Sequence, residues 1–176
     1  MTLYFPEAVN ALSRETVLYV PTLADVEAMT TAEATGAGAI NITCAIRQFN
    51  ATATQAKTKK YRLCSKQGFD SLGRVEWTVE QLTFIDDPQA DDDDPEYAHK
   101  SLVEGTTGYL IRRRGLDSAP GEFVDFAAGQ RYIAYPVQFG VRIPNAVNPE
   151  EDGQEFEYMQ EIGVTGPVVD GVVAGA

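Results

Sequence analysis

The chain has 176 residues, 44% of them apolar, and a formal net charge of −12 from 26 acids against 14 lysines and arginines. That length suits one domain with a sizeable core, and so acidic a chain is a poor binder of nucleic acid. No run of 18 apolar residues is present, which excludes a transmembrane helix, and the N-terminus has no basic stretch leading into an apolar one. No signal peptide is therefore expected, and the chain should be made and kept in a cytoplasm.

Residues Met1 to Glu15 have weak periodicity and read as an N-terminal arm. Val17 to Val20 is a short strand stopped by Pro21. Residues 23–38 have room for a turn of helix, but their Thr, Gly and Ala content points to a loop. Ala39 to Arg47 alternates, with Ile40, Ile42, Cys44 and Ile46 on one face, and reads as a strand. Lys57 to Cys64 is a basic strand and Gly68 to Gly73 a turn. Val75 to Ile85 is a strand in which Val75, Trp77 and Val79 share one face before Leu82 and Phe84 take over the other. That phase slip predicts a bulge near Gln81 or burial on both faces.

Asp86, Asp87, Asp91, Asp92, Asp93, Asp94 and Glu96 form an acidic run with two prolines and no period, which reads as a solvated loop. Glu96 to Glu104 is the best helix, with Asp94 as N-cap, Pro95 at N1 and Gly105 just past the end. Gly108 to Arg114 is a strand and 116–130 an irregular connection. The longest signal is Arg131 to Ile143. Ile133, Tyr135, Val137, Phe139, Val141 and Ile143 alternate with small or polar residues, giving a strand of about 40 Å with one buried face. Pro136 cannot donate to a ladder and marks an edge or a bulge. Phe156, Tyr158, Ile162 and Val164 define a further strand, and 168–173 a last short one. About seven strands and one short helix make an all-β sandwich or partial barrel.

Residues 150–161 hold a second acidic cluster, and the two clusters together carry half of the acids without a single Lys or Arg. Cys44 and Cys64 have no metal-ligand spacing and read as free buried thiols, with a disulfide left open should their strands be neighbours. His99 stands without a partner at catalytic spacing and reads as a surface or packing residue. The aspartate run lacks the spaced oxygens and turn glycine of a calcium loop. Arg112, Arg113 and Arg114 are consecutive on a strand, so they point to alternate faces and cannot form one nucleic-acid patch. Neither a catalytic set nor a cofactor motif is evident, so neither an enzyme nor a cofactor is expected. The basic run Lys57, Lys59, Lys60 and Arg62 reads as an exposed face or as a contact to an acidic cluster on a neighbour.

Gly105-Thr-Thr-Gly-Tyr-Leu-Ile-Arg-Arg-Arg-Gly115, then Ala127-Ala-Gly-Gln130 and Pro136-Val137, resembles the major tail proteins, or tail tube proteins, of long-tailed, siphovirus-type bacteriophages. Val20-Pro-Thr22, Thr31-Ala-Glu33, Asn41-Ile-Thr43 and Val164-Thr-Gly-Pro-Val168 add to it. The resemblance spans roughly residues 15–174, and the acidic 86–96 loop departs from it. It implies one domain over 1–176 whose sheets join those of its copies. Six subunits would close a ring as a continuous barrel, and rings would stack into a tube. A tape-measure protein inside, tail terminator and distal tail proteins at the ends, and transient non-specific passage of DNA are the implied partners, with no membrane. On that reading Glu157 and Glu161 line the lumen. Loops 23–38 and 86–95 (Asp86, Asp87, Asp91 to Asp94), the termini and segment 166–176 stitch rings together, ordering on contact. Lys57, Lys59, Lys60, Arg112 and Arg114 meet acids of other subunits. The competing expectations are another tail or head–tail joining component, and a monomeric β-sandwich binding module. The core-like setting of Trp77, the sole tryptophan, counts against the latter.

Overall fold

The computed structural model describes residues 8–89, 98–148 and 154–175. Among these residues there are nine strands and two single-turn helices. In chain order they are β1 Glu15–Val20, α1 Thr31–Ala34, β2 Ile40–Asn41, β3 Ala51–Lys60, β4 Phe69–Val79, β5 Leu82–Ile85, α2 Ala98–Ser101, β6 Thr107–Arg114, β7 Arg131–Pro144, β8 Glu157–Val164 and β9 Val169–Val172. The fold is all-β. One antiparallel sheet runs β2-β1-β6-β7-β8-β5, with β9 also on β7, and it curls as a half-barrel. β3 and β4 form a separate two-stranded ribbon.

Both faces of the main sheet are buried where it is widest, because the alternating side chains of β1, β6 and β7 are apolar on each side. Val17, Tyr19, Leu110, Tyr135, Val137 and Phe139 belong to one core, shared with Ile42, Phe84, Leu102, Tyr158 and Ile162. Leu18, Val20, Ile111, Tyr132 and Ala134 belong to the other, covered by Met29, Phe126 and Val173. Each such side chain contributes roughly 1.5–3 kcal/mol when removed from water. Tyr132 pins the second cover: it accepts from the Met29 amide (2.7 Å) and donates to the Val26 carbonyl (2.9 Å). A Cβ at Gly171 would stand 2.3 Å from that ring, so glycine is required there.

The long strand β7 is interior, yet Pro136 fits. Its carbonyl accepts from Thr165. β9 pairs with Arg131 to Ala134 and β8 with Val137 onward, so the missing donor faces the 165–168 connection between the two strands. The register slips between Phe139 and Arg142. Past that bulge Val141 and Ile143 are 52% and 46% exposed. Val141, expected in the core with Tyr135, Val137 and Phe139, therefore lies outside it, because the extra residue re-aims the strand end.

Other expectations also change. Ala39 to Arg47 is a strand for two residues and then a turn, with the amides of Ala45 and Ile46 bonded to the Ile42 carbonyl. Thr43 drives the turn: its Oγ1 accepts from the Val17 amide and donates to the Asn41 side chain. Ile42 and Ile46 are four apart, so a helical turn buries both as readily as a strand would. The thiols are exposed, not buried. Cys44 sits in that turn and Cys64 in the 61–68 connection, which also replaces the turn expected at 68–73. The predicted 75–85 strand is two strands in different sheets, and the phase slip is the chain crossing from one to the other at Glu80 and Gln81. The helix expected over 96–104 stops at Ser101, with 102–104 leaving the helix ahead of Gly105, while its first two residues, like Asp94 and Pro95, fall outside the described ones. Gly105 holds φ +87°, as expected of a left-handed stop. Residues 23–38 fold on their own subunit: Met29 is fully buried and α1 carries a Thr30–Glu33 capping box.

Candidate functional site

The largest feature left without a partner is the β3–β4 ribbon, a projecting arm. Ten residues at about 3.3 Å each make it roughly 33 Å long. The register gives it two unlike faces. Ala51, Ala53, Gln55, Lys57 and Lys59 pair with Val79, Trp77, Val75, Leu72 and Asp70 on one face. Thr52, Thr54, Thr58 and Lys60 pair with Thr78, Glu76, Ser71 and Phe69 on the other. Two residues of β4, Gly73 and Arg74, oppose Ala56, and this bulge keeps the apolar row on one side. The apolar face starts in the core at Val79 (3% exposed) and ends in solvent at Val75 and Leu72 (48% and 62%). Trp77 anchors the root by meeting the Tyr135 ring edge-on at 5.9 Å.

The polar face of the arm continues into the main sheet. Tyr158, Gln160 and Ile162 of β8 point into the core, so Glu157, Met159, Glu161 and Gly163 face away from it. Gln81, at the crossing between the sheets, donates to Glu161. Glu157 accepts from Arg47 (2.7 Å) and Asn145 (3.1 Å), and Glu155 also accepts from Arg47. These bonds, with the Glu157 hydrogen bond first and burial opposing, raise the Arg47 pKa. Glu157 and Glu161 thus share a face with each other, but Glu157 is already neutralised locally.

The arginines separate as strand geometry requires. Arg112 forks onto Glu15 (2.9 and 3.0 Å) and covers the Phe49 ring at 5.3 Å. Burial works against its charge, but Glu15 outweighs that and its pKa is raised. Arg113 points the other way and is buried under Phe126, bonding the Asp125 and Val124 carbonyls and Gln130. Burial lowers its pKa. This guanidinium ties the irregular 123–130 segment down, a role sequence reasoning missed, for which the apolar ring pair Phe123 and Phe126 was the signal. Arg114 is two-thirds exposed and 3.9 Å from Glu15. Lys57, Lys59 and Lys60 are all exposed on the arm.

Asp86 bonds His99 at 2.9 Å, and His99 lies 5.2 Å over Tyr158. Asp87 accepts from the Gln89 amide. Asp91, Asp92, Asp93 and Asp94 fall outside the described residues. Among the described residues there is no group of three metal-ligating side chains.

Edges separate the arm from the rest. The outer edge of β5 is covered by Ala45 to Arg47, through Ile85 N to Ala45 O and Arg47 N to Thr83 O. That of β9 is covered by Glu27 to Thr30, through Val172 N to Glu27 O and Ala174 N to Met29 O. β3 and β4, of ten and eleven residues, pair only with each other among the described residues. Long bare edges invite pairing with another chain. Such a fold, with the β5 and β9 edges of the body covered and a long ribbon left bare, defines an all-β subunit with an unfinished arm.

The phage tail tube protein family matches residues 3–176, and the chain belongs to that family. It is a structural component of a phage tail. The fold is similar to that of a chain in the cryo-EM structure of the anti-feeding prophage baseplate, symmetrised six-fold: the TM-score is 0.50 at 8% identity, over 95% of this chain and 97% of that one. No curated protein matches the sequence.

Proposed function

We propose that the chain polymerises with itself as stacked rings of six into the tail tube through which DNA leaves the virion. The observation that carries this is the two-faced arm. Its apolar row, continuous with the core at Val79 and Trp77, needs cover that the described residues of its own subunit do not supply. Its Thr- and Glu-bearing face is suited to water. Six such ribbons, edge to edge, satisfy the bare strands and make a barrel with a polar inner wall. The inner wall then carries Thr52, Thr54, Thr78, Glu76 and Glu161, with Glu157 beside them, and Thr58, Ser71, Lys60 and Phe69 towards the tip of the arm, where Lys60 is the one cation among the paired residues of that face. Negative charge there limits cationic contact to phosphate, and each such contact would slow passage.

Six-fold symmetry in the structurally similar assembly supports six subunits per ring. We assign the Asp86 to Pro95 segment to a contact with the next ring. A tape-measure protein fills the tube during assembly, and terminator and distal tail proteins close its ends. Assembly takes place in the host cytoplasm, and the role asks for no catalysis. Negative-stain microscopy of the purified chain tests the reading. Hollow tubes of uniform width, with six-fold rings in end views, are expected. Material that stays single-subunit at every concentration and salt would overturn it.

A further inference from the structure

A groove of about 490 Å³ lies at the end of the main sheet, between β6, β7 and β9. Arg112, Arg114, Arg131, Ile133, Asp170 and Val172 line it. The β6–β7 ladder ends at Arg112 opposite Ile133. Continuing that register by two residues sets Arg114 opposite Arg131. Like charges facing each other across strands are destabilising. Glu15 does not resolve the conflict, because it is forked onto Arg112 and stands 3.9 Å from Arg114. Arg131 is exposed and has no ion pair among the described residues. Arg114 and Arg131 thus line one groove with a half-exposed valine, Val172, and with a single acid of its own, Asp170, so that with Arg112 spent on Glu15 the groove keeps an excess of positive charge.

We propose that this groove is the seat for the acidic run 86–96 of a second copy. The inference rests on the tube reading, and names a contact within it. The chain carries −12 overall, so two copies repel unless cationic places meet the acids. The run has seven acids and no base within eleven residues, and five of them, Asp91 to Asp94 and Glu96, lie beyond the Asp86 that bonds His99 and the Asp87 that bonds the Gln89 amide. The other acidic cluster is partly spent, since Arg47 holds Glu155 and Glu157. Guanidinium groups take carboxylates two bonds at a time, which suits adjacent aspartates such as Asp91 to Asp94. Nucleic acid is disfavoured as occupant. Arg112 and Arg114 are on the Phe49 side of the sheet, away from the Thr and Glu face assigned to the channel.

Charge exchange in the full chain tests this. Arg114→Glu with Arg131→Glu should cut polymer formation about ten-fold at moderate salt, and so should Asp91→Arg with Asp93→Arg. Combining all four should restore it to within about three-fold of the wild type. Unfolding curves of the single subunits check that each variant folds. Normal polymer from either double variant, or no restoration in the combination, overturns the proposal and leaves the tube reading intact. Arginine-dependent binding of duplex DNA, with polymer unaffected, also overturns it. If the wild type never polymerises, the tube reading fails and a synthetic peptide of residues 86–96 decides. Binding that the arginine reversal abolishes supports the groove, and no binding overturns it.

Discussion

Trp77 meets Tyr135 edge-on, their ring centres 5.9 Å apart, and through this contact the arm is fixed to the main sheet. Phe49 reaches the same tyrosine from the other side at 5.3 Å. Removing the indole should let the arm swing about its root. Trp77→Ala is expected to cost about 2 kcal/mol, less than a fully buried tryptophan because the residue is only partly buried. Trp77→Phe should cost under half of that. Denaturant unfolding of single subunits measures both. An alanine variant as stable as the wild type would show that the arm is not anchored there.

Further out, Leu72 and Val75 touch little of their own subunit. Changing them to Ser and Thr should leave single-subunit stability within about 0.5 kcal/mol. Polymer yield should fall at least about ten-fold, because the apolar area they present is lost to the contact. Sedimentation separates the two readouts. Unchanged yield would mean that the apolar row of the arm faces solvent in the assembly.

The contrast between these two places explains what could be read from sequence. Val75, Trp77 and Val79 alternate cleanly, so the strand and its face were legible. That the strand leaves the body was not, because a row buried at one end and bare at the other has the same period throughout. The 51–56 segment escaped for a related reason: in Ala-Thr-Ala-Thr-Gln-Ala the alternation is between side chains of similar small size, too weakly apolar to signal a buried face, and its pairing with β4 makes it a strand. β7 shows the reverse fault. Its period continues through Val141 and Ile143, but the bulge turns both out to solvent. Tail membership was legible from the order of short motifs around 105–137, which form the Gly105 stop, β6, the turn at Gly129 and the first half of β7. Of the candidate surfaces, the separation of Arg112 to Arg114 followed from strand geometry alone. The facing of Arg114 and Arg131 did not, since it depends on which strands are neighbours.

The capping box at α1 gives the fold an acid-sensitive joint. Glu33 accepts from the Ala24 amide (2.7 Å), then from the Thr30 amide and hydroxyl (2.8 Å each). Those bonds hold its pKa below the ordinary carboxylate value, the Ala24 bond foremost. A carboxyl with a depressed folded pKa contributes stability above its unfolded value, and loses it as pH falls through the folded one. Stability should therefore drop on acidification below the usual carboxylate range, and Glu33→Gln should flatten that part of the profile. Thr30→Ala should cost about 1 kcal/mol at neutral pH. Denaturant midpoints across pH check each. An unchanged profile in the Gln variant would show that Glu33 is not what the low-pH limb reports.

Glu161 tests which surface forms the inner wall proposed for the tube. It stands on the outward face of β8 and is joined to the arm by Gln81, so the wall and the arm are one surface. Glu161→Lys removes that bond and reverses one charge per subunit. An exposed hydrogen bond of this kind is worth about 1 kcal/mol, so the subunit should fold and tubes should still form. In the proposed ring of six, the reversal removes six negative charges from the channel wall and adds six positive ones. DNA passage should slow, and the slowing should weaken as salt rises, because phosphate contacts are screened. A density map of the variant tube locates the side chain directly. Lysine density on the outside of the tube would refute the assignment of this face to the channel, and would move the polar wall to another part of the sheet.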